Sequence, residues 1–261
     1  MNDGNPVADN MNSIEFNRVT KYYGTQPALE QVSLALPAGK ISCIMGLSGS
    51  GKSTLLRHIN RLLEPTEGEI LINGKNLAHF DLKTLQQFRR NQVSMVFQHF
   101  GLLPHLSVIE NIEYGLKVKG VNRLERRKRA RSWLNEVGLA DSAESSVQAL
   151  SGGMKQRVGI ARAFACDTPI LLMDEPFSAL DPITRDSLQS LLLALQAKWH
   201  KTIVFVSHDL DEVRRLSDFV VLLEKGRVIQ RGTFEQLQNN PNSDYTAQFM
   251  QKRLRDNEEN G

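Results

Sequence analysis

The sequence predicts an α/β fold: a parallel core sheet carrying a phosphate-binding loop, an antiparallel β subdomain beside it, and an inserted helical lobe. Three observations predict it. Short apolar runs at 41–45, 170–174, 203–206 and 219–223 lack the alternation of half-exposed strands, as expected for strands buried on both faces of a parallel sheet. A Gly-rich stretch, residues 46–54, follows the first run and precedes a helical pattern that begins near Lys52. From about residue 91 to 149 the pattern turns mainly helical, broken by turn signals at Pro104 and Gly120.

In chain order, residues 1–13 are polar and expected to be disordered. Stretches 14–19, 32–36, 41–45 and 69–72 are rich in β-branched residues and read as strands. The first, second and fourth suit an antiparallel sheet, and the third belongs to the parallel core. A further strand at 93–97 ends just before Gln98, and the helical lobe is assigned to about 91–165. The core then resumes with the three later apolar runs. Lys225-Gly226 is read as the turn of a closing hairpin. One domain is expected over 14–250, with 251–261 a charged, disordered tail.

The chemistry starts at residues 46–54. Gly46, Leu47, Ser48, Gly49, Ser50, Gly51, Lys52, Ser53 and Thr54 fit G-x-x-x-x-G-K-[ST] at every fixed position. Glycines at 46, 49 and 51 let the backbone turn so that several N–H groups face one anion. Lys52 can reach the terminal phosphates, the Ser53 hydroxyl can ligate Mg²⁺, and the helix N-terminus adds a favourable dipole. The run at 170–174 ends in adjacent carboxylates: Asp174 would approach the Mg²⁺ shell, and Glu175 could polarise an attacking water. A nucleoside triphosphate, with Mg²⁺, is the expected ligand.

Five further segments, together with this loop, carry a resemblance. Leu150-Ser151-Gly152-Gly153-Met154 resembles the signature sequence of ATP-binding-cassette (ABC) transporter subunits, with Met154 where Gln is commoner. Gln98 resembles that family's Q-loop glutamine, residues 178–181 its D-loop ending in Asp181, and His208 its switch histidine. Tyr23, before Gly24, resembles the aromatic residue that stacks on adenine. The likeness runs from about residue 14 to 250 and implies a P-loop ABC ATPase that binds ATP and Mg²⁺. It implies catalytic roles for Glu175, His208, Gln98 and Lys52, and a metal set of Ser53, Gln98 and Asp174. Ser151, Gly152, Gly153 and Asp181 are implied to meet nucleotide. Independently, Ser151 is placed as an N-cap, so its helix start is a second anion site. Two such sites in one chain suit a head-to-tail pair of copies with two ATP molecules between them.

Composition narrows the partners. A formal net charge of +3 over 261 residues argues for no polyanionic partner. The six basic residues of 123–131 include Arg129 four positions after Glu125, the spacing of a solvated helix face, with no interleaved aromatics for bases. No nucleic-acid partner is expected. His58, His79, His99, His105 and His200 lack ligand spacing, and Trp133 and Trp199 read as packing residues. Cys43 and Cys166 suggest buried thiols in a reducing compartment. No apolar stretch approaches the roughly eighteen residues of a membrane span, and the N-terminus lacks signal-peptide character. The expected location is peripheral, on the cytoplasmic face of the inner membrane.

The membrane would be reached through a partner. Residues 99–108, apolar but broken by Gly101 and Pro104, are expected to expose a patch that receives a membrane subunit's coupling helix. The wording around Gln98 and the signature resembles importers of quaternary amines such as glycine betaine and choline. Their extracytoplasmic substrate-binding protein would be an indirect partner. An exporter or lipid-transport ATPase, or a soluble ABC ATPase acting on DNA or ribosomes, stays open. With only a short charged tail after residue 250, no regulatory domain is expected on this chain, and salt should weaken its ATPase only generically.

Overall fold

In the computed structural model, which describes residues 14–258, the chain begins with β1 (Ile14–Tyr23) and β2 (Gln26–Leu36), paired antiparallel. Both strands run longer than the β-branched stretches at 14–19 and 32–36 predict. Arg18 and Gln31 take left-handed backbone conformations where the register shifts, which marks bulges in the pair. Buried throughout, β3 (Ile41–Gly46) delivers the Gly-rich loop to α1 (Lys52–Ile59). β4 (Glu67–Ile72) and β5 (Lys75–Asn76) complete a four-stranded antiparallel sheet of order β2-β1-β4-β5.

The core sheet is then assembled. After α2 (Leu82–Asn91), β6 (Val93–Val96) pairs with β7 (Ile170–Asp174), which follows three helices: α3 (Val108–Val118), α4 (Arg123–Glu136) and α5 (Gly152–Ala165). Next come α6 (Pro182–Trp199), β8 (Thr202–Ser207), α7 (Leu210–Leu216), β9 (Phe219–Glu224) and β10 (Arg227–Gly232). The last helices are α8 (Phe234–Asn239) and α9 (Asp244–Glu258). The six strands lie in the order β10-β9-β3-β8-β7-β6, parallel except for the β9–β10 hairpin. Lys225 and Gly226 both have positive φ, as a two-residue hairpin turn of this hand requires.

Strand alternation divides the core. Cys43, Met45, Leu171, Met173, Phe205 and Leu222 face α5, α6, α7 and the C-terminal helices. Ile44, Leu172, Val204 and Val221 face α1 and the antiparallel sheet. A third cluster fills the lobe between α3, α4 and α5. Strands covered on both sides cannot alternate polar and apolar residues, which is why their runs read as continuous.

Three expectations change. β6 is the edge of the core sheet, so the lobe's helices begin at Val108 rather than near residue 91. The stretch expected to be a disordered tail is helical as far as Glu258. The disorder expected for residues 1–13 concerns residues outside those described. Third, segment 99–108 presents no exposed leucine patch, because Leu102, Leu103 and Leu106 are half-buried and Leu102 packs on the lobe core. Buried Asn111 makes this possible. Its amide accepts from Leu103 N and donates to the carbonyls of Leu103, Leu106 and Ser107, so an irregular segment can pack with its backbone polar groups satisfied. The exposed apolar group here is Phe97, beside Gly101.

Candidate active site

The loop between β3 and α1 has the shape of an anion cradle. Gly51, with φ +100°, precedes the helix, and a Cβ there would lie 2.5 Å from the Ala28 carbonyl oxygen. At Gly46 a Cβ would meet Leu223 O at 2.3 Å. No other residue fits either position without moving a neighbouring backbone. Leu47, Ser48 and Gly49 are exposed at the rim, while Ser50 is buried with an unpartnered hydroxyl. The buried Lys52 ammonium donates to Gly46 O at 3.0 Å and Leu47 O at 2.9 Å, which folds the loop around it. The N-terminus of α1 opens at the same place and favours an anion there.

Two groups of predicted residues come together at the C-terminal ends of the core strands. Ser53 Oγ donates to Asp174 Oδ1 at 2.7 Å. Asp174 is itself buried, and its other oxygen accepts from Arg57 at 3.0 Å. One step further along the chain, Glu175 Oε2 accepts from Gln98 Nε2 at 3.2 Å and lies 3.9 Å from His208 Nδ1. Glu175 has φ +45°, a conformation costly for a non-glycine residue, and Ser178 Oγ donates to its carbonyl at 3.0 Å. The turn after β7 thus holds Asp174 and Glu175 facing two different sets of partners. The hydroxyl of Ser53 and the carboxylate of Asp174 are hard oxygen donors side by side, which fits Mg²⁺.

Other predicted residues lie elsewhere. Tyr23 is exposed at the end of β1, with the Lys21 ammonium 5.6 Å from its ring centre. Thr54 follows Ser53 in α1, and its carbonyl faces His58 Nδ1 at 2.7 Å. Ser151 caps α5 by accepting from Met154 N at 3.3 Å. Gly152 lies against Phe100, Ala179 and Leu180, so the signature segment sits beside the 178–181 turn. Asp181 caps α6 by accepting from Thr184 N at 3.0 Å, and bonding to Thr184 holds its carboxyl below the ordinary range. Its carboxylate is therefore engaged in the helix cap within this chain.

Three residues here were not found from the sequence. Arg57 lies one turn after Ser53 on α1, and that spacing was the available signal. Arg185 and Glu212 belong to no motif. Glu212 accepts from Ser207 Oγ at 2.6 Å, and burial pushes its carboxyl up to about 7. Arg185 donates to Leu180 O and to Asp209, both at 3.3 Å.

Residues 29–178 match the ABC transporter family model. The chain belongs to the ABC transporter family. It is 48% identical over 227 residues to the glycine betaine/proline betaine transport system ATP-binding protein ProV of Escherichia coli (strain K12), covering 87% of this chain and 57% of that protein. The glycine betaine/carnitine transport ATP-binding protein GbuA of Listeria monocytogenes serotype 1/2a (strain 10403S) is 46% identical over 233 residues, covering 89% and 59%. The chain thus spans less than two thirds of the length of these relatives. Its fold is similar to that of a dimeric ATP-binding cassette in a post-hydrolysis state bound to ADP and Pi. That match has a TM-score of 0.77 at 38% identity, covering 85% of this chain and 98% of that one.

Proposed function

We propose that this chain is the ATP-hydrolysing subunit of an ABC importer for a quaternary amine such as glycine betaine or choline. The carrying observation is that Ser53 meets Asp174 while Gln98 and His208 meet Glu175, at the ends of neighbouring strands. ATP phosphates would be held by the 46–53 backbone and the Lys52 charge, with Tyr23 against the base. Ser53, Asp174 and Gln98 would hold Mg²⁺, which when bound neutralises phosphate charge. Glu175 then accepts a hydrogen bond from the attacking water and orients it, with His208 beside it. A second copy, docked head to tail, would bring its Ser151–Gly153 segment and Asp181 to the other side of the nucleotide.

The cargo reading is supported by the relatives, whose names give glycine betaine, proline betaine and carnitine transport. Among the described residues no helix is long and apolar enough to cross a membrane. Permease subunits would therefore supply the pathway, this chain would sit on the cytoplasmic face of the inner membrane, and a substrate-binding protein would act indirectly.

Glu175→Gln keeps shape and hydrogen bonding but loses the charge that orients water. It should still bind ATP while steady-state hydrolysis falls by about a hundredfold or more. Lys52→Ala should instead weaken ATP binding. Turnover of Glu175→Gln near the wild-type rate removes Glu175 from this role, and failure to co-purify with a multi-span permease removes the transport reading.

A further inference from the structure

Arg185 stands where two catalytic segments meet. On one side, Nη2 donates to Leu180 O at 3.3 Å, in the turn that follows Glu175. On the other, Nη1 donates to Asp209 Oδ2 at 3.3 Å, one residue after His208. Its Nε is buried without a hydrogen-bond partner and lies 3.7 Å from Glu212 Oε1. Glu212 completes the frame through Ser207, whose Oγ donates to Glu212 at 2.6 Å and accepts from Asp209 N at 3.0 Å. Asp209 Oδ1 in turn accepts from Asp211 N at 2.9 Å and Glu212 N at 3.2 Å, fixing the start of α7. His208 is therefore flanked on both sides by groups bound into one network, although its own ring is half exposed.

We propose that Arg185 is a positioning residue for hydrolysis, its planar fork clamping the 178–181 turn to the His208 segment and so setting where His208 stands relative to Glu175. A guanidinium can do this because its donors diverge from one plane to several acceptors at once, whereas an ammonium offers a single point. The proposal rests on the ATPase reading above. Its geometric part, the placing of His208, can be observed without turnover.

The test uses the full chain. Histidine-ring signals are recorded by NMR for the wild type and Arg185→Met, with the His208 signal assigned through His208→Gln. The expected result is a displaced His208 signal with that of His58, on the opposite face of the core sheet, unmoved. ATP turnover in Arg185→Met should fall tenfold to roughly a hundredfold, with KM for ATP within about twofold, because misplacement spoils the reacting geometry rather than ATP binding. Arg185→Lys should recover only part of the rate. The double variant Arg185→Met/His208→Gln should be no slower than His208→Gln alone, since both changes act through one group. An unmoved His208 signal, or losses that multiply in the double variant, overturns the proposal. If the wild type hydrolyses no ATP, the function fails, and the NMR comparison still decides the clamp.

Discussion

Glu212 shows how one buried carboxyl links stability to pH. Its side chain is 7% exposed, and burial is the main reason its carboxyl is raised from 4.5 to about 7. Asp209 and Glu175 push in the same direction, while the Ser207 hydroxyl and Arg185 pull it down. Cys43, buried on β3, feels the Glu212 charge as well. The folded chain keeps a proton that the unfolded chain has released, so this group's contribution is fully present below pH 4.5 and is lost as pH rises through about 7. The whole effect is on the order of 3 kcal/mol at about 1.4 kcal/mol per unit. Glu212→Gln should therefore melt close to the wild type at pH 5, gain on it up to about pH 7 and level off by pH 8. A melting-temperature difference that is constant across that range would show that Glu212 stays in one protonation state. At this scale the sequence was legible where a motif fixes spacing, as for Lys52, Ser53, Asp174 and Glu175. Arg57 was announced only by its one-turn spacing from Ser53, while Arg185 and Glu212 belong to no motif and meet their partners through the packing of α6 against α7.

Elements were legible when their periodicity was uninterrupted. The core strands read correctly because both their faces are covered, and β1 and β2 read short because they extend to Tyr23 and back to Gln26, beyond their β-branched stretches. The 99–108 segment misled for another reason: Gly101 and Pro104 exclude a regular buried element, but Asn111 of α3 satisfies the loop backbone and lets an irregular one pack. The junction of α5 with α6 offers a sharp test at this scale. A Cβ on Gly153 would lie 2.2 Å from Thr184 Cγ2, while Thr184 N is tied to the Asp181 cap. The two helix starts can approach only because one residue has no side chain. Gly153→Ala should cost about 1–3 kcal/mol as an overpacked contact. Thr184→Ser, which deletes the offending methyl and keeps the cap, should recover most of it in the double variant. Urea midpoints measure both. Equal destabilisation in the single and double variants would place the clash elsewhere.

At the scale of the whole molecule, the lobe must stay attached to the core while it carries the signature segment. Among the described residues, Leu191 and Trp133 of α4 pack against both the main core cluster and the lobe cluster, and Trp133 is the aromatic bridge. Its ring centre lies 5.4 Å from that of Phe164 and 5.5 Å from that of Trp199 at the end of α6. Around it, α4 contributes little apolar surface, with only Ala130 and Leu134 buried, and relies on ion pairs from Arg126 and Arg127 to Glu113. Those part-buried pairs tie α4 to α3 within the lobe, whereas Trp133, with the more exposed Glu136–Lys198 pair, ties it to α6 and the core. Trp133→Ala should lower stability by about 3 kcal/mol, and Trp133→Phe should retain more than half of that. Either variant also leaves Trp199 as the single tryptophan of a chain with two, so excitation at the red edge of absorption reads it apart from the tyrosines. If the bridge couples lobe to core, Trp199 fluorescence and far-ultraviolet circular dichroism should give coincident urea transitions in Trp133→Phe and separated ones in Trp133→Ala. Coincident transitions in both variants would mean that α5, continuous through lobe and core, holds the two together without the tryptophan.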